Sequence, residues 1–115
     1  MQYLLMVYGD ETAMQGRGKA EVDQVVGAFV AYTEAMKSAG VLVGSNRLRP
    51  TSTATTVRVA DRKTQVLNGP YAETREQLGG YYLIEAPDLD VALSWASRCP
   101  GAAFGSIEVR PIWQM

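Results

Sequence analysis

The chain has 115 residues, eleven basic against twelve acidic, a formal net charge of -1 and no histidine. Its length suits one domain with one core; its even charge argues against nucleic acid or an anionic membrane as partner; and no window approaches the ~20 apolar residues of a spanning helix. The missing histidine excludes the commonest general base, the commonest metal ligand and every Ser-His or Cys-His nucleophile, while one cysteine, Cys99, permits neither an intrachain disulfide nor a thiolate zinc site.

Residues 2–9, QYLLMVYG, form an apolar run of strand length ended by glycine, read as a central strand buried on both faces. The polar stretch DETAMQGRGK is a loop. From Ala20 the period becomes helical: Val22, Val25, Val26, Phe29, Thr33 and Met36 share a face, and Gly40 stands where a helix-ending glycine belongs. Residues 41–48, VLVGSNRL, are a second strand, followed by a loop broken at Pro50. Residues 55–60 and 64–69 form a hairpin turned at Asp61-Arg62-Lys63. Residues 79–86 are the next strand, ended by Pro87. Asp88 suits the N-cap of a helix whose Leu89, Ala92, Leu93, Ala96 and Cys99 share one face. Residues 106–113 alternate as a last strand.

The order is β-α-β, an inserted hairpin, then β-α-β. It specifies a single α+β domain over 1–115, a ferredoxin-like split-βαβ antiparallel sheet with both helices on one face. Several strands are apolar on both sides, notably YLLMVY and GGYYLIEA. Soluble monomers rarely expose apolar patches beyond roughly a few hundred Å², so a homodimer packed sheet face to sheet face is expected. The N-terminal MQYLLMVYGDE is too short and lacks the basic flank of a signal peptide, so the expected location is the cytoplasm.

Several motifs are set aside. AMQGRGKA (13–20) misses the first glycine and the Ser or Thr of a phosphate loop. GRGKAE lacks the third glycine of a dinucleotide fingerprint. Cys99 reads as a packing thiol, and Trp95 and Trp113 as core or interface anchors. No cofactor and no metal site is indicated. The carboxylates Asp10, Glu11, Glu73 and Glu76 admit two readings. They are solvated loop charge, or the strand-end loop and the 68–76 loop meet at a sheet edge. The second gathers Tyr8, Asp10, Glu11, Tyr71, Glu73 and Arg75 around a cleft, where Glu, Arg and Tyr can do acid-base work without histidine.

The segment NGPYAETREQLGGYYLIEAPDLDVALSWASRCP resembles the signature of the YCII-related family, in particular its DGPF-motif subgroup. MQYLLMVYGDE, AGVLVGSNRLRPTSTATTVRV and GSIEVRPI also fit that subgroup, so the resemblance spans nearly the whole chain. It implies a ferredoxin-like fold associating as a dimeric α/β barrel. The namesake Asp-Gly-Pro-Phe reads Asn68-Gly69-Pro70-Tyr71 here, and the His-Asp pair proposed for the broader family has no counterpart. Gly69-Pro70 sets a turn, Thr74-x-x-Gln77 resembles a capping box opening one helical turn, and Gly79-Gly80 lets the backbone re-enter the sheet.

Two function classes follow. In the first, a small carboxylate-type or aromatic molecule binds at the sheet edge, with Tyr8, Asn68 and Tyr71 lining the cleft. Arg47 and Arg75 hold an anionic group, and Glu73 or Asp10 serves as base. In the second, the protein is a non-enzymatic interaction or regulatory module. The resemblance links that class to extracytoplasmic-function sigma factors.

Overall fold

A computed structural model describes residues 1–114 of the chain. Four strands make the main sheet: β1 (Gln2–Gly9), β2 (Leu42–Arg47), β5 (Gln77–Glu85) and β6 (Ser106–Pro111), in the order β2-β5-β1-β6 with every neighbour antiparallel. Helix α1 (Lys19–Ser38) links β1 to β2, and α2 (Leu89–Arg98) links β5 to β6. Each pair of strands so joined is separated by one strand of the other pair. This is the ferredoxin-like α+β plan, with the hairpin β3 (Thr55–Ala60) and β4 (Lys63–Asn68) inserted between its halves.

The alternation of β1 sends Tyr3 and Leu5 to the helix side, where they are buried with Tyr82 and Ile84 of β5. Tyr32 and Met36 of α1 and Ala92, Trp95, Ala96 and Cys99 at α2 close this core. The Tyr32 hydroxyl donates to the Trp95 carbonyl oxygen at 2.7 Å, and its ring meets Tyr82 edge-on at 5.2 Å. Gly40, at φ 71°, ends α1 with paired bonds from its own N–H to Lys37 and from the Val41 N–H to Met36. Asp88 caps α2 by accepting from the Val91 N–H at 3.0 Å.

Three local expectations are corrected. Leu89 and Leu93 are each 46% exposed, because the buried face of α2 is centred on Ala92, Trp95 and Ala96. Trp113 is 89% exposed, so of its two expected roles, core or interface anchor, the core one is excluded. Thr74 opens no helix: its hydroxyl donates to the Glu76 carbonyl oxygen, and Gln77 Nε2 donates back to the Thr74 carbonyl oxygen at 2.6 Å, fixing an irregular entry into β5.

The face of the sheet away from the helices, with Leu4, Met6, Tyr81 and Leu83, is half-buried and carries no second layer among the described residues. The hairpin is not hydrogen-bonded into the main sheet. It leaves Val57, Val59, Val66 and Leu67 more than half exposed. The molecule is therefore a slab of 48 × 45 × 19 Å with a radius of gyration of 16.1 Å, against roughly 13 Å for a compact chain of this length. No helix among the described residues is long and apolar enough to cross a membrane.

Candidate functional site

Helix α1 has 20 residues and α2 has 10. At 1.5 Å per residue the second helix spans half the length of the first and cannot cover the whole helix side of the sheet. A cavity of about 800 Å³ remains beside α1, over the ends of β1 and β2 and the start of β5. Its walls are Val7, Val22, Val25, Val26, Phe29 and Val30 with Phe104 of the loop after α2. Val26 and Val30 are 44% and 57% exposed, an apolar stripe on α1 that meets no core residue.

The polar groups lie at two levels. Deep in the cavity are Thr33 and Tyr82, whose hydroxyl oxygens are 3.2 Å apart. Thr33 donates to the Phe29 carbonyl oxygen at 2.8 Å, and burial raises the Tyr82 phenol above its usual range. At the mouth stand Arg17, Arg47 and Arg49. Arg17 lies over the Phe104 ring at 5.0 Å, and none of the three forms an ion pair among the described residues. Glu11, on the same wall, does not neutralise them through a salt bridge. Its carboxylate accepts from the Thr51 N–H at 2.6 Å and the Thr51 hydroxyl at 2.8 Å. Three guanidinium groups thus line an apolar chamber whose walls also carry Asp10, Glu34 and Lys37, an arrangement suited to a flat apolar molecule with one anionic group.

A bulge shapes the floor. Val7 pairs with Gly80 and Tyr8 with Leu78, so Gly79 is the extra residue of β5. Gly80 is required for close approach: a Cβ there would lie 2.8 Å from the Asn46 carbonyl oxygen. The bulge leaves Tyr8 on the walls of both this cavity and a shallower depression formed with Arg75, Glu76, Ser106 and Glu108.

Of the residues singled out in the sequence, Tyr8, Asp10 and Arg47 line the main cavity. Arg75 lines only the shallower one, close enough to Asp10 to help lower its pKa. Asn68, Tyr71 and Glu73 line neither. Asn68 ends β4 opposite Thr55, and Tyr71 is 76% exposed with Arg58 over its ring at 5.3 Å. Asp10 caps a 3-10 turn, accepting from the Thr12 N–H at 2.9 Å and the Thr12 hydroxyl at 2.6 Å. The Thr12 hydroxyl bond is the main cause of its lowered pKa, the opposite of what a base working near neutrality needs. Thr33, Tyr82, Phe29, Arg17 and Arg49 were not expected at a site. The signal for the cavity was present in the Val22-Val26-Val30 spacing, which makes the apolar face of α1 wider than one core contact requires. No group of three metal-ligating side chains occurs among the described residues.

The profile of the YCII-related domain matches residues 1–115. The chain belongs to the YCII-related family. An uncharacterized protein of Rhizobium meliloti (strain 1021) is 40% identical over 114 residues, which cover 97% of this chain and 92% of that relative. Among solved structures, the 5-chloro-2-hydroxyhydroquinone dehydrochlorinase of Burkholderia phenoliruptrix AC1100, in complex with 2,5-dihydroxybenzoquinone, is similar with a TM-score of 0.56. It shares 17% identity, covering 99% of this chain and 94% of that one. This likeness shows that the two chains share a ferredoxin-like α+β fold.

Proposed function

We propose that this YCII-related protein is a cytoplasmic dimer that binds a small aromatic carboxylate in the cavity beside α1. One observation carries the reading: an apolar chamber of about 800 Å³ opens beneath guanidinium groups that have no carboxylate partner among the described residues. The dehydrochlorinase of like fold holds a small ring compound, which agrees with a ring-sized occupant here. Arg47 holds the anionic group, Tyr8 forms part of the wall, and Arg75 flanks Tyr8 from the second depression. The reading is one of binding. The sequence-based bases do not support a reaction, since Asp10 is committed to its cap and Glu73 does not line the cavity.

Within the same reading the chain is of the DGPF type, which the Asn68-Gly69-Pro70-Tyr71 stretch supports, with Asn for Asp and Tyr for Phe. Two copies pack through the half-buried sheet faces. The projecting hairpin, with Asn68, Tyr71 and Glu73 at its foot, belongs to that interface rather than to the cavity. Its valines support this, since none of them finds a partner layer in its own chain.

The test is a thermal-shift panel of benzoates, phenols, lactones and nucleotides on the wild type and Arg47→Ala. A ligand at a hundred times its Kd adds about 2.7 kcal/mol and raises the midpoint by several degrees. Benzoates are expected to give this shift, and Arg47→Ala to reduce it without lowering the unliganded midpoint. A panel in which nothing moves the wild type would contradict the binding reading and return attention to an interaction or regulatory role.

A further inference from the structure

Building on that binding reading, we infer that the cavity selects an aromatic carboxylate carrying a hydrogen-bond donor opposite its carboxylate, read by the Tyr82 and Thr33 hydroxyls. The direction of the hydrogen bonds decides which kind of group fits. Thr33 has one proton, and it is given to the Phe29 carbonyl oxygen at 2.8 Å. The 3.2 Å contact between Thr33 and Tyr82 therefore takes its proton from Tyr82. With both protons spent, the two oxygens offer lone pairs to the cavity. Burial keeps the Tyr82 phenol protonated, so the chain of bonds holds at ordinary pH. A ligand hydroxyl can donate to these oxygens, whereas an ether or carbonyl oxygen meets only acceptors.

The two ends of the ligand face groups on one side of the sheet. Ser45 pairs with Tyr82 and Arg47 with Gly80, so Arg47 and Ser45 lie on the side of the sheet that Tyr82 faces. Arg47 stands two residues from Ser45 along β2, so its side chain and the Tyr82 ring enter the cavity from neighbouring positions of one sheet face. A ring whose carboxylate is held at Arg47 therefore turns its far edge, the para position, to the part of the cavity that Tyr82 and Thr33 line. Between them the walls are Phe29, Val26 and Val30, which have no polar side-chain atoms to offer. Ser45 also lines the cavity, but its hydroxyl can rotate to donate or accept, so it does not discriminate.

The experiment measures Kd by calorimetry for benzoate, 4-hydroxybenzoate and 4-methoxybenzoate on the wild type, Tyr82→Phe and Thr33→Val. The wild type is expected to bind 4-hydroxybenzoate about tenfold more tightly than benzoate, the yield of one net hydrogen bond, and 4-methoxybenzoate no better than benzoate. Tyr82→Phe should remove most of this preference, bringing the ratio of the benzoate Kd to the 4-hydroxybenzoate Kd towards one. Thr33→Val releases the Tyr82 proton for the ligand and should narrow the gap between the hydroxy and methoxy compounds, which a merely structural role for Thr33 does not predict. Equal binding of all three by the wild type, or a preference that survives both substitutions, overturns the donor-reading inference while the cavity reading stands. Failure of the wild type to bind any of the three overturns both.

Discussion

Asp10 and Glu11 are neighbouring carboxylates with different work. Glu11 spends both oxygens on Thr51 and so ties the turn after β1 to the loop after β2, the loop on which Arg49 sits. Asp10 spends one oxygen on Thr12 and fixes the turn itself. Since these bonds favour the ionised form, the folded pKa of Asp10 lies below its ordinary 3.8. A depressed carboxylate stabilises the fold above its unfolded pKa and loses that contribution as pH falls through the folded value. Asp10→Ala is therefore expected to lower the melting midpoint at neutral pH, with the difference from wild type shrinking in strong acid. Thermal melts of both proteins across the acid range check this; a difference that persists in strong acid would assign the loss to something other than the ionised cap.

At the scale of elements, the hairpin is the part whose local chemistry is least settled by packing. Its two-residue turn places Asp61 and Arg62 at φ 50° and 64°, a conformation suited to Asn-Gly and unfavourable for arginine. Arg62→Gly should relieve about 1 kcal/mol of that strain and slow amide exchange in β3 and β4, with little change in the exchange of β1 and β5. Faster exchange in the hairpin of this variant would contradict the strained-turn account. The element order, the Gly40 stop, the Asp88 cap and the ferredoxin-like plan were legible because each rests on local chemistry: period, capping and glycine placement. The site was legible only in part. Tyr8, Asp10 and Arg47 come to the cavity because each lies near the end of β1 or β2. Asn68, Tyr71 and Glu73 do not, because the sequence around them says nothing of how far the hairpin projects. The cavity itself arises from the unequal lengths of α1 and α2, a comparison between elements that no single motif displays. Leu89 and Leu93 were misplaced because a helical period defines a stripe without fixing its centre, and Trp95 shifts the buried stripe towards itself.

For the whole molecule, the slab shape and the unpaired layer make one demand. Half-buried Leu4, Met6 and Leu83 on one face of the sheet, and a hairpin with Val57, Val59 and Val66 exposed on one of its faces, are what the proposed second copy of the chain would cover. Light scattering at micromolar concentration should give twice the 12.5 kDa of the chain, and Leu83→Asp should return it to the single mass by placing a charge in the centre of the contact. A wild type that scatters as a single chain would contradict the dimer while leaving the cavity intact, because the cavity lies on the helix side of the sheet. The proposed seat of the small molecule is this helix-side chamber and not the charged 71–76 loop. The most direct measurement is a backbone amide chemical-shift titration with benzoate. Progressive shifts are expected at Phe29, Val30, Thr33, Arg47 and Gly80; shifts confined to Tyr71, Glu73 and Arg75, or none at all, would rule out binding in the chamber.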